Sequence, residues 1–320
     1  MKKERYNIAA IVVTYNRKDC MINCMNALRS QSYLPTAIYI VDNASTDGTR
    51  EILENTGYKL EENKYIPQYG TEIYYIRLTQ NMGGAGGFYY GIKTAYQTNR
   101  YDAFWIMDDD GLPEINCLKT MVPYLNGYDY ISPLCLAIEN HTFLAFDHKG
   151  VPIAKDYIEN FSQDGIIKGD AFPFNGVIYS KKFVEKIGFP KKELFIWGDE
   201  ANYSKRAKKA GFTPITITQA IHYHPFNRAE YAKVNILGHI KTIIITNSNL
   251  RFYCMHRNAA YNAKIDPPMI AIKNLIMRYI IFTKYYLFTE KSISHWTTFN
   301  RAFFSGIFNL FNGHKKYLKQ

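Results

Sequence analysis

Phe104-Trp105-Ile106-Met107-Asp108-Asp109-Asp110 runs from an apolar stretch directly into three carboxylates, and Gly111-Leu112-Pro113 turns the chain straight afterwards. An unbroken apolar run of strand length belongs to a strand buried on both faces, the kind found in parallel sheets covered by helices. Three adjacent acids repel one another, and a short loop beside a buried strand dissipates that repulsion poorly unless a divalent cation neutralises it. Side chains alternate along extended chain, so Asp108 and Asp110 are expected on one side as shared ligands while Asp109 points away. Hard carboxylate oxygens suit Mg²⁺ or Mn²⁺, completed by phosphate oxygens of a bound molecule. A solvated acidic turn or a helix N-cap is the plainer alternative.

The segments before this run repeat its pattern. Ile8-Ala-Ala-Ile-Val-Val13 is another apolar run, followed by a turn at Thr14-Tyr-Asn-Arg17 and by Met21, Cys24, Met25 and Leu28 at helical spacing, which makes a βα unit. Ala37-Ile-Tyr-Ile-Val41 ends on Asp42-Asn-Ala-Ser-Thr-Asp-Gly48, with a helix predicted over 49–55 and a third strand from Ile73 to Leu78. Strands alternating with helices imply a mainly parallel, doubly wound α/β sheet with helices on both faces, whose ligands bind at the carboxyl ends of the strands. The polar clusters at 14–17, 42–48 and 108–110 all fall there. Asn81-Met-Gly-Gly-Ala-Gly-Gly87 precedes helical character over 88–96. Its glycines would let backbone N–H groups approach a ligand, and a helix N-terminus favours anions; a merely flexible loop is the alternative. A dinucleotide fingerprint is excluded, because no register gives G-x-G-x-x-G and the run follows the third strand instead of the first.

Leu194-Phe-Ile-Trp-Gly-Asp-Glu200 reads as a strand-like entry broken at Gly198, with a helix from about Glu200 that packs through Tyr203, Ala207 and Ala210 and stops at Gly211. Asp199 and Glu200 at that N-terminus are either ordinary caps or, beside Trp197, a general base. Ile221-His-Tyr-His-Pro225 puts His222 and His224 on one side of an extended segment, as candidates for a third metal ligand.

With 47% hydrophobic residues among 320, the chain can build one large domain plus an appendage and is not disordered. Its five cysteines are odd in number and lack CxxC spacing, so a reduced, cytosolic protein without structural zinc is expected. Six apolar residues after Met1-Lys-Lys-Glu-Arg5 are too few for a secretory or membrane-spanning segment. The net charge of +11 is unevenly spread: from Pro268 to Gln320 eight basic residues face the single acid Glu290, interleaved with twelve aromatics at mostly helical intervals. No run there reaches the ~18 apolar residues of a spanning helix. An amphipathic tail on an anionic membrane surface is expected, each Lys or Arg near such a surface contributing about 1 kcal/mol. Helices packed on the main domain, or on a second subunit in a homodimer, are the alternative. No RNA-binding motif is present and aromatics outnumber basic residues, which argues against a nucleic-acid partner. These changes of character divide the chain into residues 1–225 and a C-terminal helical region, 226–320.

Taken in order, Thr14-Tyr-Asn-Arg17, Val41-Asp-Asn-Ala-Ser-Thr-Asp-Gly-Thr49, Asn81-x-Gly-Gly-Ala-Gly-Gly-Phe88, Asp108-Asp-Asp110, Trp197-Gly-Asp-Glu200 and a following histidine resemble glycosyltransferase family 2 over about residues 6–260. Within it they are most similar to the galactofuranosyltransferase and rhamnosyltransferase branch. The resemblance implies a GT-A fold in residues 1–225 and inverting transfer of a sugar, galactofuranose before rhamnose, from a UDP-linked or dTDP-linked donor. The acceptor implied is a hydroxyl of a glycan or polyprenyl-linked glycan at the inner face of the cell membrane. It further implies that Thr14 and Asp42 hold the base and ribose, with Asn16, Arg17, Asn43, Asn81, Gly83, Gly84, Asp108 and Asp109 on the donor side. Asp108 and Asp110 with His222 or His224 would hold Mn²⁺ or Mg²⁺ on the diphosphate. Asn175, Gly176 and Trp197 would lie around the sugars, and Arg257-Asn258 is open between the acceptor side and a salt bridge. Family members usually carry Glu-Asp before the helix with the second residue as base; here the pair is inverted, so Glu200 takes the base position and Asp199 is its rival. A sugar-phosphate nucleotidyltransferase would be expected to show a basic, glycine-rich loop after the first strand, which is absent, and a non-catalytic membrane scaffold has no need of the acid cluster.

Overall fold

The computed structural model describes residues 5–55, 64–65, 71–172, 174–226 and 230–318. Two compact units emerge, Met1–Lys192 with Ala210–Asn227 and Glu193–Lys209 with Arg228–Gln320. By sequence the chain divides at residue 225; by their contacts residues 193–209 group with the later part.

The first unit is an α/β sheet, parallel at its centre. Its centre is β1 (Ile8–Thr14), every residue buried, flanked by α1 (Lys18–Arg29), which covers it through Met21, Cys24, Met25 and Leu28 as the helical spacing predicted. The chain continues through β2 (Ala37–Asp42), α2 (Thr49–Asn55), β3 (Lys64–Tyr65), β4 (Glu72–Arg77), α3 (Gly83–Gln97) and β5 (Ala103–Asp108). β5, β1, β2 and β4 pair in parallel in that spatial order, so the strand order reverses between β1 and β5. Then come β6 (Leu112–Pro113), α4 (Cys117–Met121), β7 (Tyr130–Ala137), β8 (Phe143–His148), β9 (Val151–Ile153), α5 (Ala154–Phe161), β10 (Ile166–Lys168), β11 (Val177–Ser180) and α6 (Lys181–Ile187). β11 is antiparallel to both β5 and β7. β12 (Ile215–His224) runs parallel to β7, so its carboxyl end reaches the same edge as that of β5.

The glycine run is not a loop. From Gly83 onward it opens α3, and Gly87 in the run and Gly91 one turn beyond it are bare because the helix lies directly on β1: a Cβ would come 2.3 Å from Cγ1 of Val13 at Gly87 and 2.5 Å from Cγ2 of Ile11 at Gly91. Only at Gly83 does the run itself need glycine's backbone freedom, with φ of 68°.

In the second unit α7 (Asp199–Lys209) packs on α8 (Asn249–Ala263), and the antiparallel hairpin of β13 (Glu230–Ile236) and β14 (His239–Ile245) precedes α9 (Pro268–Lys284) and α10 (Ile293–Ile307). The aromatics that suggested a membrane tail mostly face inward. Phe282, Tyr286, Phe299 and Phe303 form one core with Val234 and Ile243, so their period reports an internal interface. What α9 leaves outward is aliphatic: Met269, Ile272, Ile276 and Ile280 recur at three- and four-residue intervals and are 85%, 57%, 54% and 45% exposed, while Phe288, Phe304 and Phe308 are exposed elsewhere in the unit. Among the described residues no helix is long and apolar enough to cross a membrane.

Candidate active site

The carboxyl ends of the parallel strands bring the sequence clusters together in register. Thr14 pairs across with Asp42, Asp42 with Arg77, and Asp108 with Val13. The Thr14 hydroxyl donates to Oδ2 of Asp109 at 2.7 Å, and Nη1 of Arg17 reaches Oδ1 of Asp109 at 3.2 Å and Oδ2 of Asp110 at 2.6 Å. Asn16, at φ 51°, ties this loop to the next: its N–H donates to the Ser45 hydroxyl and its Oδ1 accepts from the Thr46 N–H. Asn43 fastens α3, its amide donating to the Gly83 carbonyl and accepting from Met82, while Oδ1 of Asn81 accepts from Gly83. Gly84 lies in the first turn of α3, half-buried. Asp42 is fully buried and already engaged by the Ser45 N–H, the Tyr75 hydroxyl and Nη1 of Arg77. Tyr75 and Arg77 were not singled out from sequence; their position at the end of β4, beside a strand ending in Asp, was the available signal.

β5 stops at Asp108, so strand alternation does not govern the next two acids. Asp109 turns toward Thr14 and Arg17, and the same Arg17 also reaches Asp110. Nε2 of His224 lies 3.2 Å from Oδ1 of Asp110. Burial opposes the charge of Asp110, but His224 and Arg17 outweigh it and hold its pKa down to about 2. Asp108 is pushed up to about 7 by burial and then by the charges of Asp110 and Asp109. Burial also raises Asp109, to about 6, against the pull of Arg17 and Thr14. Burial would lower His224, yet the Asp110 contact raises it. Part of the acid triplet's repulsion is therefore met by the chain's own Arg17 and His224. Among the described residues no three His, Cys, Asp or Glu side chains stand arranged to hold a metal ion.

The two histidines separate cleanly. His222 is completely buried, neither ring nitrogen has a hydrogen-bond partner among the described residues, and burial pushes it down to about 3. It is wedged between two backbones: a Cβ on Gly111 would lie 2.4 Å from its Nε2, and one on Gly176 2.8 Å from its Nδ1. Gly176, at φ 72°, donates its N–H to Ile106 and accepts from Nε1 of Trp105, and the chain through Asn175 thereby reaches the Asp108 end of β5. His224 instead presents Nε2 to the acids while Nδ1 lies 2.8 Å from the Pro225 carbonyl.

The remaining candidates belong to the second unit. The segment before α7 is not a strand; a short 3₁₀ turn, Lys192–Leu194, leads into an irregular loop whose carbonyls are taken by α8 side chains. Asp199 is buried, Trp197 is half-buried, and both carboxylate oxygens of half-buried Glu200 accept from the Gly198 N–H at 3.2 and 3.0 Å.

A family model described as "Glycosyl transferase family 2" matches residues 9–188. The chain is 26% identical over 296 residues to galactofuranosyltransferase GlfT1 of Mycolicibacterium smegmatis, covering 90% of this chain and 92% of that one. It is 27% identical over 263 residues to the protein of that name from Mycobacterium tuberculosis, covering 80% and 81%. Among solved structures it resembles GalNAc-T7 with UDP, GalNAc and Mn²⁺ (TM-score 0.61, 12% identity, 97% of this chain and 59% of that one). It also resembles S. aureus TarS (TM-score 0.52, 15% identity, 88% and 44%) and a Pyrobaculum calidifontis mannosyltransferase with GDP-Man and Mn²⁺ (TM-score 0.54, 14% identity, 96% and 89%). The chain belongs to glycosyl transferase family 2, and it is a glycosyltransferase of GT-A fold.

Proposed function

We propose that this family 2 glycosyltransferase moves galactofuranose from UDP-galactofuranose to a hydroxyl of a glycan or polyprenyl-linked glycan, with inversion, in surface polysaccharide synthesis. The observation that carries the reading is the similarity to galactofuranosyltransferases over nine-tenths of both chains, so that it takes in the second unit as well as the nucleotide-sugar fold. The donor's charged end would lie at the shared carboxyl edge, bounded by Thr14, Arg17, Arg77 and the acids. Buried Asp42, Asn16 and Asn43 would act by holding the loops that shape this edge. Asn175 and Gly176 are proposed to line the sugar side.

By their chemistry, though not by a ready-made arrangement among the described residues, the side chains present suit a divalent cation. Asp108 and Asp110 offer hard oxygens, and a histidine whose Nδ1–H is held by a carbonyl presents Nε2 as a ligand, the arrangement of His224. Mn²⁺ or Mg²⁺, when bound, would neutralise charge on the departing diphosphate. His222, sealed between two glycine backbones, would be a packing residue. We propose Glu200 as the base that takes the acceptor hydroxyl's proton, with Asp199 the rival. Assaying release of the donor's own nucleoside diphosphate, UDP from UDP-galactofuranose, UDP-galactose and UDP-glucose and dTDP from dTDP-rhamnose, with hydrolysis subtracted, tests the reading. Acceptor-dependent turnover confined to UDP-galactofuranose is expected, and turnover only with dTDP-rhamnose would replace the sugar.

The exposed aliphatic stripe of α9 has Lys273 and Lys284 at its margins, and no acid lies on that helix. We propose that it rests on an anionic membrane surface at the cytoplasmic face, where a polyprenyl-linked acceptor is presented. A homodimer through the same stripe would set Lys273 near its own copy with no acid to offset it.

A further inference from the structure

The loop from Leu194 to Gly198 carries an unusual amount of backbone strain. Phe195 and Trp197 sit at φ 66° and 58°, a left-handed conformation that bulky aromatics rarely adopt, and Gly198 is at 96°. Such strain persists only where the surroundings over-determine it. Here one face of α8 does so. Nη2 of Arg257 donates to the Leu194 carbonyl at 2.6 Å. The amide of Asn258 donates toward the carbonyls of Leu194, Ile196 and Trp197 at 2.9, 3.0 and 2.6 Å. One turn along, the amide of Asn262 donates to the Gly198 carbonyl at 2.6 Å. All three side chains are buried, with Arg257 and Asn258 fully so, and Asn262 is itself held by Nδ2 of Asn202 at 2.8 Å. A helix N-terminus that needed only capping would not require four carbonyls outside it to be captured in sequence.

The clamp ends on the acid pair. Asn262 fixes the Gly198 carbonyl, and the N–H of the same residue is the donor that both oxygens of Glu200 accept. We infer that Asn258 and Asn262 are positioning residues: by holding the 194–198 loop in its strained form they aim the Gly198 N–H, and that N–H orients the Glu200 carboxylate. Arg257 braces the arrangement from the side, its Nε donating to Oδ1 of Asn258 and its Nη1 to the Phe311 carbonyl. This rests on the reading of Glu200 as the base, and it assigns the sequence pair Arg257-Asn258 to neither a salt bridge nor acceptor contact.

The test compares Asn262→Ala and the isosteric Asn258→Asp, which removes the amide donors but keeps the volume, with Phe303→Leu, a core substitution of the same unit away from the loop. The two clamp variants should lose roughly tenfold or more in kcat with donor KM within about twofold, as expected when a reacting group is misaimed rather than a ligand lost. Phe303→Leu should lower the melting temperature without that split. Hydrogen exchange read on peptides spanning 194–200 should quicken in Asn262→Ala and stay slow in Phe303→Leu, a readout that does not depend on turnover. In a Glu200→Gln background Asn262→Ala should cost nothing further. Unchanged kcat in both clamp variants beside an inactive Glu200→Gln would overturn the clamp and leave the base assignment standing. Full activity of Glu200→Gln would overturn the base assignment and the clamp's purpose with it.

Discussion

Replacing Gly87 or Gly91 by Ala decides between two uses of the glycine run. If the run exists to bring backbone N–H groups to a ligand, Ala at these helical positions should help the helix by about 1 kcal/mol and impair donor binding. If it exists to let α3 lie on β1, Ala must collide. A new methyl would stand 2.3 and 2.9 Å from the two γ carbons of Val13 at Gly87, and 2.5 and 2.9 Å from Ile11 and Val41 at Gly91. Carbon contacts are comfortable at about 3.5–4.0 Å, so helix and strand must part by roughly an ångström, and the facing atoms are stiff β-branched side chains that cannot swing aside. Overpacking costs about 1–3 kcal/mol, and contacts this short belong to the upper part of that range, about 2–3 kcal/mol, so setting the helix gain of about 1 kcal/mol against it leaves each variant about 1–2 kcal/mol less stable. That corresponds to a Tm lower by roughly 3–6 °C. Gly127→Ala is the control, since a Cβ there meets nothing within 4 Å. Thermal melts and urea titrations with donor KM alongside make the comparison. A stability equal to or above wild type in both variants, with raised donor KM, would refute the packing account.

Other expectations follow from the same geometry. Mn²⁺ titrations read by EPR should show Asp110→Ala and His224→Ala binding the ion at least tenfold more weakly, with His222→Ala lowering stability instead; intact Mn²⁺ binding by His224→Ala would remove it from the ligand set. Vesicle co-sedimentation should show the full chain on anionic but not neutral lipid, and Ile272→Asp with Ile276→Asp should abolish it; variants that lose a dimer but keep the lipid would point to a second copy as the occupant. Burial and the neighbouring Arg257 push His314 down to about 4, so the unfolded chain takes up a proton below the ordinary histidine pKa that the folded chain refuses. Stability should therefore fall as pH drops from about 6.5 toward 4, with His314 contributing about 1–2 kcal/mol of the fall at pH 5 beside buried His222 and His256, which burial lowers in the same direction, and His314→Phe should remove that share alone; an equal urea midpoint at pH 7.5 and 5 for wild type would contradict it.

The parallel strands and their carboxyl-edge clusters were legible because a strand buried on both faces must be apolar throughout, and that is a local property of the chain. What defeated sequence reading was everything settled by a partner far along it. A glycine that gives backbone access and one that gives close packing look the same until the facing residue is known, and Val13 and Ile11 stand some 75–80 positions from Gly87 and Gly91. That Tyr75 and Arg77 engage Asp42 could not be read ahead, because both lie on another strand. Leu194 to Trp197 looked like a strand because apolar composition says nothing of φ, and its left-handed turns are imposed by Asn258 from 60 residues away.

The acid triplet shows how far local chemistry carries. Adjacent carboxylates were expected to need a cation, and the folded chain divides that need unequally. Asp109 is answered by Thr14 and Arg17, and Asp110 is shared between Arg17 and His224. Among the described residues Asp108 has no cationic side chain in contact, and burial with two like-charged neighbours brings it to about 7. The uncompensated charge thus sits on the last residue of β5, at the reversal of strand order. Arg17 acts on the other two acids from a position where it is 46% exposed at the side chain, able to swing toward an arriving diphosphate. An arginine that restrains the acids before the donor arrives and meets its phosphates afterwards would release Asp110 to the proposed ligand set at that moment. Arg17→Lys, which keeps the charge but not the forked reach to both acids, should therefore raise donor KM several-fold while leaving the fold intact. Calorimetric titration with UDP in the presence of Mn²⁺ measures it, and wild-type affinity in that variant would show that Arg17 serves the acids alone.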